Sequence, residues 1–202
     1  GGGKSICYQV PALIKEGLTL VITPLVSLMI DQEESLKLRG IKAAAIHSGL
    51  NYRQLENVLD NAAFGGTKIL YCSPERLLSK QFLERLDQFN LNLIAIDEAH
   101  CVSEWGHDFR PSYLQVIELR TRFPEVPMLA LTATATPVVE KEIIELLGLK
   151  TPAVFRASFD RPNLSLSVRK VEDKEQKLFE ILNKFAGSAI IYVRSRRKAR
   201  EL

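Results

Sequence analysis

Leu93-Ile94-Ala95-Ile96-Asp97-Glu98-Ala99-His100 is a short apolar run that ends in two adjacent carboxylates. Such a run predicts a buried parallel strand that delivers acid groups to its C-terminal end, where open α/β sheets bind their ligands. There one carboxylate can hold a magnesium ion while its neighbour orients a water for attack on a phosphate. An acidic turn after an ordinary strand is the competing reading, and a second stretch decides between them. Gly1-Gly2-Gly3-Lys4-Ser5 matches the back half of the phosphate loop G-x-x-x-x-G-K-[ST]. Glycines let backbone N–H groups approach phosphate oxygens, and the helix that follows favours anions at its N-terminus. In that pattern Lys4 reaches the β/γ-phosphates of ATP and the Ser5 hydroxyl ligates Mg²⁺. The same five residues alone would suit a linker; together with Asp97-Glu98 they predict a nucleotide site.

Strands and helices alternate outward from these two anchors. Strands are expected over 18–22, 41–47, 68–72 and 128–131. Helices are expected from Lys4 through Val10 with a bend at Pro11, then over 26–39, 51–63 and, following Ser73-Pro74-Glu75, to about Gln88. Two more are expected, one ending near Phe123 and one from Pro137 to Gly148. This order predicts βαβ units and a parallel sheet with helices on both faces. A polar segment over 158–163 then separates residues 1–157 from a restart: strand 164–168, helix 173–185, strand 188–193. The chain is therefore expected to be one α/β domain, a linker, and the truncated start of a second domain.

Composition narrows the partners. The 202 residues are 46% hydrophobic, without an apolar run long enough to span a membrane. Three scattered cysteines, Cys7, Cys72 and Cys101, form neither a disulfide framework nor a zinc pattern and are expected to be buried in a reducing compartment. The net charge is +3, and residues 158–202 carry a surplus of five positive charges, so the first 157 are slightly acidic. A nucleic-acid partner therefore has to be argued from local sites rather than from bulk charge.

The blocks, in order, closely resemble the RecQ family of DNA helicases within helicase superfamily two. Gly1 to Ser5 resembles motif I, Thr23-Pro24-Leu25-Val26-Ser27-Leu28 motif Ia, and Ser73-Pro74-Glu75-Arg76-Leu77 motif Ib. Asp97-Glu98-Ala99-His100 resembles motif II, Thr132-Ala133-Thr134 motif III, and Ala189 to Ser195 motif IV. The most specific block, Cys101 to Tyr113 with Trp105, Phe109 and Arg110, is similar to the family's aromatic-rich loop. The resemblance implies a RecA-like lobe (1–157), a linker (158–163), and the start of a second RecA-like lobe (164–202). It implies ATP and Mg²⁺ as ligands and single-stranded and partly duplex DNA as partner, with 3′–5′ translocation in recombination and repair. The setting implied is the bacterial cytoplasm or, in a eukaryote, the nucleus, with no membrane.

It also implies roles. His100, Thr132 and Thr134 would couple nucleotide state to DNA, and Trp105, Phe109 and Arg110 would sense single strands. Ser73, Arg76 and the Thr23-Pro24 turn would hold backbone phosphates. From the residues alone, His100 could equally be a satisfied structural histidine, Thr132 and Thr134 helix caps, and Trp105 and Phe109 a small satellite core. Thr136 before Pro137 reads as a cap, His47 as a turn residue, and Arg194 to Lys198 as a solvated helix face or a DNA track. Against the family pattern the chain lacks the adenine-reading segment, motifs V and VI with the arginine finger, and the zinc-binding and winged-helix regions. It is accordingly expected to be a fragment that folds poorly alone, and to lack the ~10³–10⁵ in turnover that an arginine finger contributes. A nucleotide-dependent DNA-binding module without turnover, or an RNA helicase on the same lobes, are the alternatives.

Overall fold

Leu18-Thr19-Leu20-Val21-Ile22 forms strand β1 (Leu18–Ile22), and all five residues are buried. A strand buried on both faces needs helices above and below it. The computed structural model describes residues 3–157 and 162–202; Gly1, Gly2 and positions 158–161 of the expected linker lie outside the described residues. The chain divides into two compact units, Gly1–Ala153 and Val154–Leu202.

In the first unit β1 is joined by β2 (Ala43–Ile46), β3 (Ile69–Cys72), β4 (Leu91–Ile96) and β5 (Met128–Ala130). Every pairing is parallel, in the order β2-β3-β1-β4-β5. Six helices accompany them: α1 (Ile6–Ile14), α2 (Val26–Leu38), α3 (Tyr52–Phe64), α4 (Lys80–Leu86), α5 (Val116–Arg122) and α6 (Pro137–Leu146). Alternation along each strand sorts the core into two layers. On one face Val21, Ala45, Tyr71 and Ala95 pack with Tyr8 and Ala12 of α1 and Met29 and Leu36 of α2. On the other, Leu20, Ile46, Leu70 and Ile94 pack with residues of α3, α4, α5 and α6, among them Leu59, Phe82, Val116 and Ile143.

The split follows from connection handedness. The step from β1 toward β2 and the steps back toward β5 run in opposite directions, so connections of one hand put their helices on opposite faces. Neighbouring strands β1 and β4 thus send their continuations to different sides, which opens a crevice at their C-terminal ends. The register Ile22↔Ile96 brings the next residues, Thr23 and Asp97, out together at that crevice.

Several elements depart from expectation. Helix α1 continues through Pro11 to Ile14, its buried face formed by Tyr8, Gln9 and Ala12. That face leaves Cys7 on the outside, exposed, whereas Cys72 and Cys101 are buried as expected. After β3 a 3₁₀ turn over Pro74–Arg76 precedes α4, because Ser79 turns back to bond the Arg76 carbonyl at 2.9 Å instead of extending one helix.

In the second unit α7 (Lys174–Lys184) is capped by Asp173, and α8 (Arg196–Glu201) follows Ser195. The strands predicted over 164–168 and 188–193 do not form. Leu166, Val168, Ile190 and Tyr192 are all more than four-fifths exposed. Apolar alternation makes a strand only where a neighbour completes the hydrogen-bond ladder, and among the described residues neither segment has one. Leu178, Phe179 and Leu182 of α7 instead border a small apolar groove with Ile191 and Val193. Arg197 and Lys198 pair with Glu201 and Glu175, so that part of the basic cluster is a salt-bridged face.

Two substitutions test these ties. Asn51 caps α3 in a reciprocal box, accepting the Gln54 N–H while the Gln54 side chain accepts that of Asn51, both at 2.9 Å. Asn51→Ala is expected to lower unfolding free energy by about 1 kcal/mol in denaturant titrations. The buried Tyr113 hydroxyl donates to the Asp97 carbonyl at 2.9 Å. Tyr113→Phe leaves that acceptor without its partner and is expected to cost roughly 1–3 kcal/mol by the same measurement.

Candidate functional site

At the end of β4, Asp97 is buried and Glu98 half-buried. Glu98 has φ 48° and ψ 44°, a left-handed conformation that costs a non-glycine residue about 1–2 kcal/mol. Backbone bonds on both sides enforce it. The Asp97 N–H donates to the Ile22 carbonyl at 2.8 Å and the Ala99 N–H to that of Leu131 at 2.9 Å. The Glu98 N–H itself donates to Asp97 Oδ1 at 3.0 Å. The turn leads into a 3₁₀ segment over Ala99–Val102.

Lys4 meets both carboxylates, its Nζ 2.5 Å from Glu98 Oε1 and 3.6 Å from Asp97 Oδ1. Gly3 before it takes φ +73°, where a side chain would be strained. Ser5 caps α1 without using its side chain for a capping bond. Gly3, Lys4, Ser5, Thr23, Asp97 and Glu98 line a cavity of about 200 Å³ together with Tyr8, Tyr71 and neighbours from α2. Burial pushes the Asp97 carboxyl above the usual range, and the Lys4 charge and the Glu98 N–H oppose that shift. The Thr23 hydroxyl is buried without a hydrogen-bond partner among the described residues. Hydroxyl and carboxylate oxygens beside a lysine are the donor set that a hard cation and a phosphate chain require, so these residues fit a magnesium–nucleotide complex. Of the expected phosphate loop, Gly1 and Gly2 lie outside the described residues.

A polar chain leaves this cavity through His100. Its Nδ1 lies 2.9 Å from Thr132 Oγ1 and 3.3 Å from Glu98 Oε2. Burial lowers the His100 pKa, with the Glu98 carboxylate opposing, which favours the neutral imidazole. The ring stacks on His107, centroids 4.3 Å apart, and His107 Nδ1 lies 3.4 Å from Thr134 Oγ1. The three expected couplers, His100, Thr132 and Thr134, are thus gathered together. His107 was not among them; it lay inside the quoted aromatic block, but nothing in the sequence marks a ring stack across seven residues. Thr136 caps α6 by accepting the Val139 N–H at 3.4 Å, and His47 closes a turn by accepting the Gly49 N–H at 3.1 Å, both as the sequence predicts.

Of the expected DNA-sensing residues, Trp105 is 75% exposed. Phe109 and Arg110 are half-buried. The Arg110 guanidinium is clamped to Asp108 Oδ2 at 2.9 and 3.1 Å, which holds the Asp108 carboxyl below its usual range. Gly106 passes so close to the His100 carbonyl that a Cβ there would sit 2.3 Å from its oxygen. Ser73 is only 4% exposed, so its side chain offers little to a passing strand, whereas Arg76 is half-buried and reachable. Among the described residues there is no cluster of three or more His, Cys, Asp or Glu side chains suited to a metal, and no helix long and apolar enough to cross a membrane.

The chain is 43% identical over its whole length to the ATP-dependent DNA helicase RecQ of Pasteurella multocida, covering 32% of that protein. It is 43% identical over 98% of its length to the RecQ helicase of Bacillus subtilis, covering 34% of it. It is 44% identical over 97% of its length to the ATP-dependent DNA helicase Q-like 4B of Arabidopsis thaliana, covering 18%. The chain thus spans about a third or less of the length of these curated relatives. The fold resembles the Hef helicase domain of Pyrococcus furiosus, with a TM-score of 0.53 at 20% identity over 71% of this chain and 30% of that one. A hypothetical ATP-dependent RNA helicase of Sulfolobus tokodaii gives the same score and identity over 72% of this chain and 42% of that one. Residues 1–142 match the DEAD/DEAH box helicase family, and the chain belongs to it.

Proposed function

We propose that the chain is the nucleotide-hydrolysing part of a RecQ-type DNA helicase. In this reading residues 1–157 form the ATP-binding lobe, 158–163 a linker and 164–202 the beginning of a second lobe. The observation that carries it is continuity: Lys4, Asp97 and Glu98 meet at the crevice, and Glu98 connects through His100 to Thr132, Thr134 and the loop bearing Trp105.

Lys4 would move its ammonium from the carboxylates to the β/γ-phosphates of ATP, with the Gly3 backbone beside the phosphate chain. Ser5 and Asp97 would hold a magnesium ion, which when bound would supply positive charge against the phosphoryl oxygens. Glu98 orients the attacking water and takes its proton, a contribution of about 10²–10⁴ in rate for a positioned base. Neutral His100 follows the position of Glu98 and passes it to Thr132. Trp105 stacks on a base, Phe109 and Arg110 flank it, and Arg76 with the Thr23-Pro24 turn holds the backbone. Ser73 shapes the turn that presents Arg76. Single-stranded and partly duplex DNA, 3′–5′ translocation, and a role in recombination and repair follow from the RecQ likeness. With them goes a location wherever that DNA is, in cytoplasm or nucleus.

The test is ATP hydrolysis by the natural polypeptide that carries this chain, with single-stranded DNA, duplex DNA, RNA or none. Strong stimulation by single-stranded DNA is expected. Glu98→Gln is expected to lower turnover by about 10²–10⁴ while nucleotide still binds. Lys4→Ala is expected to lose nucleotide affinity, and Trp105→Ala to lose the response to DNA. Hydrolysis indifferent to DNA, or preferring RNA, would sink the reading. Nucleotide-dependent DNA binding without hydrolysis would establish the binding module instead.

A further inference from the structure

The backbone of Trp105 is not held by the His100 chain. Its N–H donates to Ser103 Oγ at 3.2 Å, and the Ser103 hydroxyl donates to Glu142 Oε2 at 2.5 Å. Ser103 is fully buried. Glu142 lies on α6, outside every block that carries the RecQ resemblance. Its neighbour Ile143 and Val139, one turn before it, are buried in the apolar core. A carboxylate turned toward a buried hydroxyl on such a helix costs desolvation that its hydrogen bond must offset. An ionised acceptor makes that bond stronger than a neutral pair would.

Ser103 is also the base of the turn that presents the tryptophan. The Gly106 N–H donates to the Ser103 carbonyl at 3.0 Å, and Gly106 itself lies hard against the His100 carbonyl. Trp105 is therefore suspended between two points, and one of them, Ser103, is fastened to α6. That helix begins at Thr136, at the end of the segment that starts with Thr132.

We propose that Glu142 is a positioning residue for the aromatic loop. Through Ser103 it fixes the Trp105 backbone, making α6 a second link between the loop and the Thr132–Thr136 segment, alongside the His100 and His107 contacts. The proposal rests on the reading of the chain as a DNA-stimulated ATPase.

The experiment is ATP hydrolysis by the natural full-length polypeptide as a function of single-stranded DNA concentration, with thermal unfolding followed in parallel. Glu142→Ala is expected to raise the half-saturating DNA concentration about tenfold, the equivalent of ~1.4 kcal/mol. Its unstimulated rate is expected to stay within about twofold of wild type. Glu142→Gln keeps an acceptor oxygen and is expected to recover most of the DNA response. Glu142→Met keeps the length without the acceptor and is expected to behave like Glu142→Ala, which decides the matter if the alanine variant unfolds. Ser103→Ala also removes the acceptor of the Trp105 N–H, so adding Glu142→Ala to it is expected to be no worse than Ser103→Ala alone.

A folded Glu142→Ala or Glu142→Met enzyme with a wild-type DNA response would overturn the proposal, as would additive losses in the double variant. A drop in basal rate and melting temperature with an unchanged DNA dependence would mark Glu142 as structural support and overturn it too. If the wild-type polypeptide shows no response to DNA, the helicase reading falls first and this one with it. Failure of the variants alone leaves the helicase reading standing.

Discussion

One ammonium group lies between two carboxylates that belong to a different part of the chain. Asp97 is buried, Glu98 is its immediate neighbour, and two adjacent negative charges with so little solvent repel each other unless a cation comes between them. Lys4 meets that demand from 94 positions away in sequence. Its arrival depends on α1 docking through Tyr8 and Ala12, and the carboxylates depend on the β1–β4 ladder and the left-handed turn at Glu98. The electrostatics of the crevice is thus a property of the whole sheet.

His100 extends this arrangement without adding charge. Burial favours its neutral form, so what links it to Thr132 and His107 is a hydrogen bond and a ring stack. A protonated ring beside Lys4 would compete for Glu98.

The sheet was legible where its signals are local. Continuous apolar runs placed β1, β3 and β4, and the start of α3 was expected at Asn51, its cap in the structure. Strand order was not legible, since parallel strands joined by crossovers carry no local mark of which neighbour they pair with. The same cause explains 164–168 and 188–193, where alternation is present and the ladder is not. At the site, the meeting of Lys4 with Asp97 and Glu98 could be expected because both stretches are short runs of restricted residue types. The Glu98 backbone, the His100–His107 stack and the Ser103–Glu142 bond depend on side chains that meet only once the chain has folded, with 39 positions separating the last pair. No periodicity announces them.

The exposure of Trp105 has an energetic meaning. A three-quarters exposed indole forgoes burial that the fold could have taken by tucking the loop inward. That stabilisation stays available until a flat partner arrives, and a base stacking on an aromatic ring contributes ~1–3 kcal/mol. A free energy of that size corresponds to roughly 5- to 150-fold in an equilibrium. The exposed ring is in this sense a gain the fold has left untaken. A deeper burial would make the loop steadier and withdraw the ring from any flat partner.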